Sequence, residues 1–288
     1  MSDLSPEAVG TQILPTNRPP LLSVEGLTVR FAGVTALSEV SFAVQPGELF
    51  AVIGPNGAGK TSLFNVLSRV YQPAAGRVTF DGQDILRLKT HQTARAGIAR
   101  TFQNLGQFPF TTVLDYILLG RHIHMRSGIL LGGLFLGPTV NEERKNRAYC
   151  MHLLELLGLA RYFRFPLGTL PFGLQKRADL ARALAMQPKL LLLDEPVAGQ
   201  SLEESEDIAA AILDIKEQLG ITQILVEHDM AMVMGIADRV MVLDFGRVIA
   251  SGPPAEMQAN PDVIKAYLGE ELGGRAAAGE PTSADTSY

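Results

Sequence analysis

The sequence predicts an α/β protein built on a doubly wound, largely parallel sheet. Three observations predict it. Apolar runs such as Glu48-Leu49-Phe50-Ala51-Val52-Ile53, Leu190-Leu191-Leu192-Leu193 and Ile224-Leu225-Val226 lie far apart and are separated by stretches of helical periodicity. The first run ends in a glycine-rich segment and the second in paired carboxylates, and ligands of open α/β sheets bind beyond the carboxyl ends of the strands. Leucines on both faces of Leu190–Leu193 suit a central parallel strand, which is covered on both sides.

Residues 1–20 and 271–288 are rich in Pro, Ala, Gly, Ser and Thr, lack periodicity and are expected to be disordered tails. Between them, Leu22–Phe31 and Val40–Val44 read as early strands, and Gly76–Gly82 as a strand followed by a turn. Residues from about 87 to 175 are mostly helical, with Asn141–Leu157 the clearest amphipathic helix. The sheet resumes through Leu190–Asp194, Ile224–Glu227 and Val240–Leu243, and a terminal helix is expected around Asp262–Leu268.

The glycine-rich segment is Gly54-Pro55-Asn56-Gly57-Ala58-Gly59-Lys60-Thr61, which fits G-x-x-x-x-G-K-[ST] at every fixed position. A triphosphate needs convergent N–H donors and positive charge without steric obstruction. The glycines let the backbone curl into a concave nest, Lys60 reaches the β- and γ-phosphates, and the Thr61 hydroxyl coordinates Mg²⁺. Ser62 follows inside the helix that the loop opens. After Leu193, Asp194 stands where Mg²⁺ needs an acidic partner, and Glu195, one residue nearer the γ-phosphate, can polarise water.

Length and composition fit one such unit. The 288 residues are 47% apolar, enough for a substantial core, and no second phosphate loop is present. A net charge of −5 without a basic stripe argues against a nucleic-acid surface. Met1–Pro6 shows no basic segment followed by an apolar core, so the protein is expected in the cytosol. Cys150, among Met151, Leu153, Leu154 and Leu157, reads as a buried thiol of a reducing compartment. Ile129–Leu136 falls far short of the ~20 residues of a spanning helix and reads as a loop or short hairpin, or else as a contact with a membrane partner. His122 and His124 lack the further ligands a metal site needs.

With these motifs in place the chain, over roughly residues 21–270, resembles an ABC-transporter ATP-binding subunit. Further segments carry the resemblance. Thr101-Phe102-Gln103 resembles the glutamine loop, which implies that Gln103 touches Mg²⁺ and the attacking water while its loop senses the membrane partner. Val226-Glu227-His228-Asp229 resembles the switch segment, which implies that His228 contacts the γ-phosphate. Phe31 resembles the aromatic that stacks on adenine, although phenylalanine in a strand also serves a core. The implied fold is a RecA-like core with an N-terminal antiparallel β subdomain and an inserted α-helical subdomain.

The signature segment departs from the common Leu-Ser-Gly-Gly-Gln. This chain reads Leu170-Pro171-Phe172-Gly173-Leu174, so Gly173 keeps the second glycine while Pro171 offers neither hydroxyl nor N–H. Ser201 stands where the loop Ala198-Gly199-Gln200-Ser201 usually ends in aspartate. In this superfamily two cassettes associate head to tail around ATP, as a homodimer or a heterodimer, and the two departures point to a weakened site and a non-identical partner cassette.

Three segments resemble the branched-chain amino acid importer type: Gly97–Asn104, Val233–Val240 and Asn260–Gly269, the last being the most specific. The resemblance implies an ATPase at the cytoplasmic face of the inner membrane, with two permeases, a second ATPase and an external solute-binding protein. Related systems of the branch take urea, amides or aromatic acids. A soluble ABC protein acting on DNA or the ribosome, and a GTPase or small-molecule kinase, are the competing classes; the chain has no Asn-Lys-x-Asp guanine motif.

Overall fold

The computed structural model describes residues 19–101, 108–124 and 137–267. Gln103, the apolar stretch 129–136 and nearly all of both tails lie outside the described residues.

The chain opens with β1 (Leu22–Phe31) and β2 (Val34–Val44), an antiparallel pair in which Leu22 faces Val44 and Phe31 faces Val34. β2 begins well before Val40, where alternation alone starts it. The register shifts along this pair and Glu39 takes a positive φ of 54°, so period-two patterning is broken there. β3 (Leu49–Ile53) leads into the glycine-rich loop and α1 (Lys60–Leu67). β4 (Ala75–Phe80) and β5 (Gln83–Asp84) then complete a four-stranded sheet of order β2-β1-β4-β5.

After α2 (Thr90–Ala96) comes β6 (Ile98–Arg100), a strand inside the span read as helical. Three residues carry too little periodicity to betray it. Helices α3 (Val113–Leu119), α4 (Gly137–Leu156) and α5 (Phe172–Ala185) follow. The chain then alternates through β7 (Leu190–Asp194), α6 (Leu202–Leu219), β8 (Thr222–Val226), α7 (Met230–Ile236) and β9 (Arg239–Asp244). It closes with β10 (Arg247–Gly252), α8 (Pro254–Ala259) and a helical turn pair over 261–267.

The second sheet has the order β10-β9-β3-β8-β7-β6. Its strands β9, β3, β8, β7 and β6 run parallel, and β10 is an antiparallel edge. Burial on both faces explains the unbroken apolar runs. In β3, Leu49, Ala51 and Ile53 join the core shared with the helices, whereas Phe50 and Val52 join the core shared with α1 and the first sheet. β7 divides likewise, Leu191 and Leu193 to one side and Leu190 and Leu192 to the other. All four leucines are fully buried, each stabilising the fold by about 1.5–3 kcal/mol of apolar transfer. The carboxyl ends of β3, β7 and β8 therefore lie rigidly along one edge.

Candidate functional site

Three loops leave that common edge. The loop after β3 carries Gly54 to Lys60, the turn after β7 carries Asp194 and Glu195, and the segment after β8 carries Glu227 and His228. Parallel pairing of β7 with β8 sets Asp194 opposite Val226, so the two acidic strand ends are neighbours.

The glycines of the first loop are required by contact as well as by φ. Gly54 has φ 148°, and a Cβ there would run into the Leu243 carbonyl oxygen of β9. At Gly59 (φ 105°) a Cβ would lie 2.6 Å from the Ala36 carbonyl oxygen and 2.7 Å from Leu37 Cδ2. The loop is braced from the β9–β10 turn, where Gly246 N–H donates to the Ala58 carbonyl at 3.0 Å. Gly59 is also the N-cap of α1 and supplies no capping side chain, which leaves the first N–H groups of the helix for an anion. Lys60 is buried, and its Nζ donates to the Gly54 carbonyl and, at 3.0 Å, to the Pro55 carbonyl. Pro55 and Ser62 are half-buried, while Asn56, Gly57 and Thr61 are exposed.

Asp194 is buried at the end of β7. Its Oδ2 accepts from Arg100 Nη2 at 2.6 Å, and its backbone N–H donates to Thr101 Oγ1 at 3.2 Å. Oδ1 is buried and has no hydrogen-bond partner. An unsatisfied carboxylate oxygen and a threonine hydroxyl on α1, which packs against β7, form the hard-oxygen donor set that Mg²⁺ prefers. The residues fit the ion.

Glu195 is half-buried and holds a positive φ of 47°, a conformation that costs a non-glycine residue roughly 1–2 kcal/mol. Its N–H donates to the Val226 carbonyl at 2.9 Å, which fixes the turn against β8. Glu227, fully buried, accepts at Oε1 from Val197 N–H (2.9 Å) and at Oε2 from His228 N–H (3.1 Å). Burial pushes its carboxyl above the ordinary range, and these donors oppose that shift. His228 itself is exposed, its Nδ1 3.6 Å from Glu227 Oε2.

Phe31 is 41% exposed, and its ring meets Tyr71 edge-on at 4.9 Å between centroids. The Phe31 ring is therefore braced by a second aromatic, one that spacing gave no reason to single out. Pro171 is the N-cap of α5, with φ −50° and ψ 149° and no side-chain cap. Gly173 packs on the first turn of α6, where a Cβ would lie 2.9 Å from Glu204 Oε1. Ser201 caps α6 in a reciprocal box, accepting from Glu204 N–H at 3.3 Å while Glu204 Oε2 accepts from Ser201 N–H at 3.1 Å. His122 Nδ1 and His124 Nε2 are each engaged by a backbone carbonyl, of Leu119 and Met186.

A phosphate loop, an acidic strand end and a histidine on adjacent parallel strands define an ATP-binding cassette. Residues 37–198 match the ABC transporter family, and residues 247–272 match the family described as branched-chain amino acid ATP-binding cassette transporter. The high-affinity branched-chain amino acid transport ATP-binding protein BraF of Pseudomonas aeruginosa is 41% identical over 252 residues, covering 87% of this chain and 98% of BraF. LivG of Escherichia coli K12, of the same description, is 39% identical over 254 residues, again 87% and 98% of the two chains. Among solved structures, the ADP conformation of MJ1267, an ATP-binding cassette of an ABC transporter, superposes with TM-score 0.77 at 31% identity, covering 88% of this chain and all of that one. The chain belongs to the ABC transporter ATP-binding family, in its branched-chain amino acid transport branch. ATP binding and hydrolysis are general to that family.

Proposed function

We propose that this chain is the ATP-hydrolysing subunit of an importer for branched-chain amino acids, working at the cytoplasmic face of the membrane. The observation that carries the chemistry is the shared edge: the phosphate loop, Asp194-Glu195 and His228 all leave carboxyl ends of the neighbouring parallel strands β3, β7 and β8. Among the described residues no helix is long and apolar enough to cross a membrane.

Gly54, Pro55, Asn56, Gly57, Ala58 and Gly59 shape the cradle, and Lys60 leaves its two carbonyl partners to neutralise the β- and γ-phosphates. Thr61, Asp194 and Gln103 hold Mg²⁺, which when bound offsets the charge that builds on the phosphates. Glu195 takes the proton of the attacking water, and His228 steadies the γ-phosphate from the next strand. Phe31 stacks on adenine from its Tyr71 support.

The partners are permease chains, a second cassette and, indirectly, an external solute-binding protein. A cavity of about 630 Å³ between the core and the helices, lined by Val70, Ala94, Ile98, Phe108, Leu119 and Met186, borders the segment that leads to Gln103. Its apolar lining suits a permease helix. Pro171 withholds a hydroxyl and an N–H from the second cassette, which favours a non-identical partner.

The test is the assembled complex, purified with its membrane chains and assayed for ATPase stimulation by solutes. Leucine, isoleucine or valine should stimulate. Stimulation by urea, amides or aromatic acids alone would move the substrate and keep the motor; recovery without any membrane chain would favour a soluble ABC protein. Glu195→Gln should keep ATP binding and slow hydrolysis about 10²–10⁴-fold.

A further inference from the structure

The Arg100 side chain joins the two elements that carry the proposed metal ligands. Arg100 ends β6, where it pairs in register with Leu192 of β7. From there Nη2 reaches Asp194 Oδ2 at 2.6 Å, while Nη1 donates to Asn65 Oδ1 at 2.7 Å and to Ser68 Oγ at 3.0 Å. Asn65 lies in α1 one turn beyond Thr61, and Ser68 is the C-cap of the same helix. The guanidinium also sits over the Phe64 ring, 5.7 Å from its centroid. One planar group thus spans α1 and β7.

The attachment behind it is equally fixed. The Arg100 carbonyl accepts from Arg182 Nη2 at 3.0 Å. Arg182 Nε is paired with Asp179 Oδ1 at 2.7 Å, and the same oxygen accepts from the buried Tyr116 hydroxyl at 2.7 Å. The main chain that carries the fork is therefore tied to α5, while the fork itself is held by Asn65, Ser68 and Asp194.

The consequence for Asp194 is asymmetric. Oδ2 is taken by Arg100, whereas Oδ1 is buried with no donor. A buried carboxylate oxygen left without a partner is costly, and in a site of this kind it calls for a cation. We propose that Arg100 is a positioning residue for the metal site: it orients Asp194 so that Oδ1 is presented to Mg²⁺, and it sets the separation between Asp194 on β7 and Thr61 on α1. This rests on the reading of Asp194 and Thr61 as metal ligands.

Arg100→Ala removes charge and fork together. Arg100→Lys retains the charge but cannot bond Asp194 and Asn65 in one plane, so it isolates positioning. The measurement is the unfolding temperature of the purified protein with a non-hydrolysable ATP analogue, first in EDTA and then along a Mg²⁺ titration; Asp194→Asn is run alongside. For both Arg100 variants the stabilisation in EDTA should match wild type, and the Mg²⁺ concentration giving half of the metal-dependent rise should increase about 10–100-fold for Ala, less for Lys. If either variant needs the same Mg²⁺ as wild type, or less, while Asp194→Asn loses the metal-dependent rise, Arg100 does not position the site. If Asp194→Asn keeps that rise, the ligand assignment fails and the proposal falls with it.

Discussion

Glu227 accepts the Val197 N–H at 2.9 Å, tying the segment that follows β8 to the turn that follows β7. Glu195 sits inside the turn so held, and His228 follows Glu227 directly. The residue proposed to activate water and the one proposed to hold the γ-phosphate therefore share one buried carboxylate as their anchor.

That carboxylate gives a pH dependence. Burial raises the Glu227 carboxyl above the ordinary range, so the unfolded chain loses this proton at lower pH than the folded one. Stability then falls as pH rises from about 4.3 through the raised folded value. Glu227→Gln cannot titrate and loses this slope. Urea unfolding at pH 5 and pH 8 should show the variant gaining on wild type at the higher pH; an unchanged difference would mean that Glu227 titrates alike in both states.

The phosphate loop makes a graded prediction. Gly57→Ala meets no atom within 4 Å and faces only the strain of its φ of 80°, worth roughly 1–2 kcal/mol. Gly54→Ala faces comparable strain and also a collision with the Leu243 carbonyl, so β9 or the loop must move. Denaturation midpoints should fall further for Gly54→Ala.

Ser201→Ala should cost about 1 kcal/mol, because the N-cap oxygen of α6 is lost. Ser201→Asp supplies an equally good cap and should leave stability within about 0.5 kcal/mol of wild type. Equal losses in the two variants would show that the side-chain oxygen at position 201 is not what stabilises this helix end.

Cys150 is fully buried, and burial pushes its thiol up to about 11. It should resist alkylation at pH 8 in the folded protein and react once the chain is unfolded. The unfolded thiol loses its proton first, so its contribution to stability is complete below about pH 8.5 and is lost as pH rises toward the folded value. Cys150→Ser should blunt the alkaline fall in melting temperature.

Much of this was legible because strand ends and loops leave local marks. Leu190–Asp194 shows as a strand from composition, and the Gly54–Thr61 loop from fixed positions alone. Side-chain relationships across the fold leave none: Arg100 meets Asp194 94 residues away, and nothing near either residue announces the other. Ser201 shows the limit differently. As a departure from a motif it reads as a lost contact, yet in the fold it makes the cap of α6. Glu227 carries no local mark of its role, because burial is decided by the strands on either side of it.

The strand order sets a timetable for folding on the ribosome. β1, β2, β4 and β5 can close their sheet once residue 84 has emerged, since each pairs within that stretch. β3 cannot, because among the described residues its strand neighbours are β8 and β9, and the ion pair of Glu48 with Arg239 joins residues 191 apart. At ~5–20 residues per second, the edge of β3 that awaits β9 stays open for roughly 10–40 s, and the edge that awaits β8 for slightly less. The nascent chain is thus most exposed to aggregation through the strand that will later present the phosphate loop.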